Sequence, residues 1–255
     1  MVIGIFDSGM GGLSVLYEAM KKLPNESFIY FGDSKNAPYG IKSKSEVIDL
    51  CIDICDYFVE RNVDAIVVAC NTATSAAIKV LRNKYEIPII GMEPALKPAV
   101  ELNHGKGIAV MATPMTLKEE KFNDLMSKVA SSTKIYKIPA PKIVELIEQE
   151  IIDSEEIIEV IEGYFKDIKN EIECVVLGCT HYIFIKELIG KILGDSIKII
   201  DGNIGTINQL KKRLFEGSYE QEEDRFIEII NSAGKDKVEL SNKLLKMLED
   251  RYGNK

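Results

Sequence analysis

Short apolar runs rich in Ile and Val recur along the chain, separated by longer stretches in which apolar positions follow a helical period. Runs too short for helices, each followed by an amphipathic segment, are the pattern of buried parallel strands joined by crossover helices. The runs predict strands at Val2–Phe6, Phe28–Gly32, Ala65–Ala69, Pro88–Gly91, Gly107–Met111, Ile135–Ile138, Cys174–Gly178 and Lys198–Asp201. Between the second and third, Ser43 and Glu46 have capping-box spacing and open a helix whose apolar face is Val47, Leu50, Cys51, Ile54, Cys55 and Phe58. Cys51 and Cys55, four residues apart on that stripe, read as core residues, and Cys174, at the head of a buried strand, reads the same way.

The pattern repeats once. Ile3-Gly-Ile-Phe-Asp-Ser8 has a counterpart in Ile108-Ala-Val-Met-Ala-Thr113, and Ala65-Ile-Val-Val-Ala-Cys70-Asn-Thr in Cys174-Val-Val-Leu-Gly-Cys179-Thr-His. The expected architecture is therefore α/β, with two pseudo-symmetric doubly wound lobes, mostly parallel sheets and a site in the cleft between them. A boundary fits near Glu93-Pro94 and a return crossing after Asp201-Gly202. The first lobe would comprise residues 1–95 and 207–255, and the second residues 96–206. The C-terminal stripe Leu240, Leu244, Leu245, Leu248 would then cover the first lobe.

Composition narrows the function classes. A net charge of −8 and a pI near 5.1 argue against a nucleic-acid partner, because phosphate contact needs a basic stripe. No apolar run approaches the ~20 residues that span a bilayer, and Met1-Val-Ile-Gly-Ile-Phe6 lacks a basic leader, so a cytoplasmic protein without membrane contact is expected. Five cysteines in no disulfide or C-x-x-C pattern read as reduced thiols. With only His104 and His181 among histidines and no ligand spacing, no metal site is expected.

Three polar loops each follow an expected strand and precede an expected helix: Asp7-Ser8-Gly9-Met10-Gly11-Gly12, Cys70-Asn71-Thr72 and Cys179-Thr180-His181. In open α/β sheets ligands collect at such places, and free N–H groups at a helix N-terminus favour an anion. The same position can lower a thiol pKa from about 8.5 into the range ~3.5–7.5, making it a usable base. Cys70 and Cys179, in matched context, are therefore the candidate acid/base pair, able to take an α-proton from one face of a substrate and return one to the other. A bland reading makes both merely small residues at tight turns. His181, two residues from Cys179, is placed to tune it or relay protons, and Asp7 reads equally as a helix cap. The glycine stretch lacks the spacing of a dinucleotide or phosphate loop.

Four segments, Phe6-Asp-Ser-Gly-Met-Gly-Gly-Leu13, Tyr30-Phe-Gly-Asp-Ser-Lys-Asn-Ala-Pro-Tyr-Gly40, Ala69-Cys-Asn-Thr-Ala73 and Leu177-Gly-Cys-Thr-His-Tyr182, give the chain a clear resemblance to the cofactor-independent aspartate/glutamate racemases, and to glutamate racemases in particular. The resemblance implies a two-domain cytoplasmic homodimer that racemises glutamate, provides D-glutamate for peptidoglycan, and uses neither cofactor nor metal. It implies Cys70 and Cys179 as the bases, assisted by Asp7, His181 and Glu148. It implies substrate contacts at Asp7, Ser8, Pro38, Tyr39, Gly40, Asn71, Thr72, Thr113, Thr116 and Thr180. The second half departs from the family pattern at Glu145, Ile183 and Asp201-Gly202, and at Glu119 and Phe122, where Ser and Tyr are usual. Two other readings stay open: an aspartate racemase on the same scaffold, and a non-catalytic ligand-binding or regulatory protein derived from it.

Overall fold

The computed structural model describes residues 1–92, 95–103, 105–118, 123, 126–127, 133–214 and 225–253. The chain divides into two compact units, Met1–Glu93 with Asn203–Lys255, and Pro94–Gly202.

The first unit is built on five parallel strands in the order β4-β3-β1-β2-β9. They are β1 (Val2–Asp7), β2 (Ser27–Gly32), β3 (Ala65–Val68), β4 (Ile89–Gly91) and β9 (Ile227–Asn231). Ile3, Ile5, Phe6 and the whole of β3 are buried, as expected for central strands covered on both faces. Helices α1 (Leu13–Lys22), α2 (Lys44–Glu60) and α3 (Asn71–Lys84) follow β1, β2 and β3 in turn. The capping box at the start of α2 is formed: the Ser43 side chain accepts from Glu46 N, and Glu46 accepts from Ser43 N. Cys51 and Cys55 are buried along that helix, as its period predicts. The C-terminal helix Lys235–Tyr252 buries Leu240, Leu244, Leu245 and Leu248 within the same unit.

The second unit carries four parallel strands in the order β6-β5-β7-β8. They are β5 (Gly107–Ala112), β6 (Ile135–Pro139), β7 (Ile172–Gly178) and β8 (Lys198–Asp201). Reversed, this order is β8-β7-β5-β6, which repeats β4-β3-β1-β2 strand for strand, so the internal repeat seen in the sequence is a repeat of topology. Strand β7 starts two residues before Cys174, which lies inside it, fully buried. A core of Leu96, Ile108, Val110, Leu117, Cys174 and Val176, among others, packs around this sheet.

Two departures from the sequence reading stand out. Strand β9 was not expected. It pairs with β2 at the sheet edge, where its residues are only half-buried apart from Asn231. Beyond Cys179 the chain forms a 3-10 helix, Thr180–Ile185, before the α-helix Lys186–Leu193 begins. Thr180 to Ile185 are all buried. A run buried at every position lacks the one-sided pattern of an amphipathic surface helix, and short 3-10 segments commonly lead into an α-helix, as this one does into Lys186–Leu193. The expected α-helix N-terminus at Cys179 is therefore corrected to a 3-10 turn. His104, Glu119, Phe122 and the Glu93-Pro94 boundary lie outside the described residues.

Candidate active site

In the first unit, the ends of the adjacent strands β1 and β3 bring Asp7, Ser8 and Cys70 together. Asp7, the last residue of β1, is fully buried. Its Oδ2 accepts from Gly12 N at 3.0 Å and Gly9 N at 3.3 Å. Asp7 thus braces the glycine loop instead of capping α1, whose N-cap is Gly12. Gly12 is required there, since a Cβ would lie 2.6 Å from Asp7 Cβ and 3.1 Å from Ala69 Cβ.

Cys70 is the N-cap of α3. Its Sγ accepts from Ala73 N at 3.4 Å and donates to Ser8 Oγ at 3.5 Å. It is 5% exposed. The sulfur is held by a helix N–H, the arrangement expected of a thiol at a helix N-terminus. Asn71 and Thr72, the first two residues of α3, are buried beside it. The Asn71 Nδ2 has no hydrogen-bond partner among the described residues. A buried donor left so costs roughly 1–3 kcal/mol, which a bound acceptor would recover.

Tyr39 is fully buried, and its hydroxyl donates to Asp33 Oδ2 at 2.6 Å. Burial, reinforced by the Asp33 carboxylate, pushes the Tyr39 phenol far above its ordinary range, so it stays a donor. Asp33 also accepts from Asn36 Nδ2, while its own N–H donates to Asp7 O at 2.9 Å. One carboxylate therefore ties the segment carrying Pro38, Tyr39 and Gly40 to the end of β1. Asp33 lies inside a motif quoted above but was not singled out. The only sequence signal was an acidic residue directly after a buried strand.

The second unit repeats the placement at the ends of β5 and β7. Gly178 lets these ends approach, because a Cβ there would meet Ala112 Cβ at 2.9 Å. Thr113 follows β5, and its Oγ1 accepts from Thr116 N at 3.3 Å and lies 3.0 Å from Thr116 Oγ1. It caps the short helix Pro114–Lys118, which has Pro in its first position. Thr180 is buried at the start of the 3-10 turn.

Cys179, 7% exposed, has its Sγ 3.8 Å from His181 Nδ1. The opposite ring nitrogen, Nε2, lies 2.6 Å from Glu148 Oε1, at the end of the Pro141–Glu148 helix. Burial alone would push the His181 pKa down. The hydrogen bonds and charges of Cys179 and Glu148 outweigh it and hold the pKa well above 6.5. The two neighbours thus favour the protonated ring of His181.

The proposed residues therefore gather as two groups, one in each unit. Asp7, Ser8, Cys70, Asn71 and Thr72 lie at one strand-end pair, with Tyr39 tied to it through Asp33. Thr113, Thr116, Cys179, Thr180, His181 and Glu148 lie at the other. Among the described residues, no cluster of three or more His, Cys, Asp and Glu is placed to hold a metal ion. No helix among them is long and apolar enough to cross a membrane.

Residues 14–210 match the family model described as Asp/Glu/Hydantoin racemase. A glutamate racemase of Clostridium novyi (strain NT) is 53% identical over 251 residues, covering 96% of this chain and 97% of that protein. The crystal structure of Escherichia coli glutamate racemase in complex with L-glutamate and the activator UDP-MurNAc-Ala superposes with a TM-score of 0.85 at 27% identity, covering 98% of this chain and 94% of that one. Glutamate racemase from Francisella tularensis in complex with D-glutamate gives 0.79 at 29% identity, over 96% and 93%. The chain belongs to the Asp/Glu/Hydantoin racemase family and is an isomerase, a racemase by reaction.

Proposed function

We propose that this racemase interconverts L- and D-glutamate, with Cys70 and Cys179 as the two proton-exchanging groups. The observation that carries the reading is the equivalent placement of the two thiols. Each follows the strand adjacent to the first strand of its unit, in sheets of the same order. The choice of glutamate is supported by the close relative named for it and by similar structures that hold L- and D-glutamate. The aspartate alternative has no comparable support.

In the reaction one thiolate removes the α-proton, and the opposite thiol protonates the resulting carbanion from its other face. The proposal requires the two sulfurs to reach opposite sides of one α-carbon. A positioned base contributes about 10²–10⁴-fold, so much of the acceleration must come from donors that stabilise the carbanion through its carboxylate. Asn71 Nδ2, the Ser8, Thr72 and Thr180 hydroxyls and the loop N–H groups are suited to that task. Pro38, Tyr39, Gly40, Thr113 and Thr116 complete the proposed substrate contacts. Asp7 serves the Cys70 group, and His181 with Glu148 serves the Cys179 group. Both proton positions belong to side chains, so this chemistry calls for no cofactor and no metal.

We further propose a cytoplasmic homodimer whose D-glutamate enters peptidoglycan. A strain deprived of the chain should then depend on added D-glutamate. The reaction is tested by incubating each enantiomer of glutamate in deuterated buffer. Deuterium entering the α-position from both sides, with loss of optical activity, is expected. No exchange from either enantiomer would turn the reading toward a non-catalytic binding protein.

A further inference from the structure

His181 and Glu148 come from segments far apart in sequence, and their 2.6 Å contact needs the two held in register. Glu148 is the last residue of a helix of eight. The position of its carboxylate therefore follows how the helix is seated. The helix starts after Ala140, whose N–H donates to Ala112 O at 3.0 Å, which ties this corner to the end of β5. The carbonyl of the same residue accepts from the Tyr182 hydroxyl at 2.8 Å.

Tyr182 is the immediate neighbour of His181 in the 3-10 turn and is fully buried. We infer that Tyr182 is a positioning residue: its hydroxyl, bonded to Ala140 O, sets the seat of the Pro141–Glu148 helix against the 3-10 turn and so fixes Glu148 on His181. Three observations support this. The Tyr182 ring fills the core, so its backbone and the adjacent His181 backbone cannot shift independently of it. The hydroxyl reaches the residue directly before the helix, the place where a shift would move the entire rigid element. Burial also keeps the phenol protonated, with the Cys179 and Tyr164 side chains acting in the same direction, so the donor persists over the working pH range.

The groups that bear on the His181 charge are Cys179 on its own turn and Glu148 on the facing helix. Loosening the clamp weakens only the second. The imidazolium should then titrate lower, and proton transfer at Cys179 should suffer while substrate binding does not.

The test is Tyr182→Phe in the full chain, which retains the ring and removes the hydroxyl. With only two histidines in the sequence, the ring resonances of His181 can be followed by NMR through a pH titration. Ile157→Val, a trimmed core residue of the neighbouring helix Glu155–Phe165, controls for simple loss of stability. The expected result is a lowered His181 midpoint in Tyr182→Phe, little further change when Glu148→Gln is added, and no change in Ile157→Val. A misplacement of this kind also lowers kcat roughly ten- to hundredfold, with KM within about twofold. An unmoved midpoint in Tyr182→Phe, or an equal fall in Ile157→Val, would overturn the inference. The kinetic arm rests on the proposed racemisation, whereas the titration does not. A failure of the clamp is thereby distinguished from a failure of the proposed reaction.

Discussion

His181 donates from Nε2 to Glu148 Oε1 at 2.6 Å, while its Nδ1 faces Cys179 Sγ at 3.8 Å. At Cys70 the sulfur meets a helix N–H and a serine hydroxyl. The two thiol environments are equivalent in topology and different in chemistry.

The histidine makes stability depend on pH in a definite direction. Its folded pKa lies well above the ordinary 6.5. Its contribution is therefore complete below about pH 6.5 and is lost as the pH rises through the folded value. Glu148→Gln should cost about 1.5–3 kcal/mol at pH 6, the worth of a hydrogen bond to a charged group, and progressively less at high pH. Melting temperatures of both proteins across that range check it; a difference that grows with pH would contradict the assignment.

The three core thiols should be inert near neutrality. Burial pushes Cys55 up to about 12 and Cys174 up to about 11, and raises Cys51 well above 9. Since the thiolate is the reactive form, brief alkylation of the folded protein at pH 7.5, read by peptide mass spectrometry, should leave all three unmodified. Labelling of Cys55 or Cys174 before Cys70 or Cys179 would count against the division between core and site.

Gly12→Ala should impair both stability and activity. Its new methyl would sit 2.6 Å from Asp7 Cβ, and forcing a methylene into a packed site costs roughly 1–3 kcal/mol. Because Asp7 holds the loop through Gly9 N and Gly12 N, kcat should fall with the melting temperature. Gly105→Ala, where no atom of the described residues beyond its chain neighbours lies within 4 Å of the added Cβ, is the comparison; its φ of +127° adds strain to stability alone, so activity should be retained.

Much of this was legible in the sequence, and the exceptions share a cause. Strands β1 to β8 are announced by short apolar runs, densest in the covered central strands β1, β3, β5 and β7. Strand β9 was overlooked because an edge strand can be half-polar. Ile227-Glu-Ile-Ile-Asn231 follows a charged stretch, and Glu228 pairs with Arg61 on the surface. The matched placement of Cys70 and Cys179 after equivalent strands was visible in their local context, and the capping box in its spacing. Asp33 and Tyr182 were not, although both stand in quoted motifs. Their roles depend on partners brought near by the path of a loop or by a separate helix: Tyr39, six residues on, and Ala140, forty-two residues back. The 3-10 segment after Cys179 escaped notice because its run is as compatible with a buried α-helix as with a short 3-10 helix.

The central claim is that two thiols divide the proton transfers, and the most direct measurement is racemisation by Cys70→Ser and Cys179→Ser, each assayed from L- and from D-glutamate. Both variants are expected to lose racemisation in both directions, by about 10²–10⁴-fold or more, with the fold intact. Full racemase activity in either variant would contradict it.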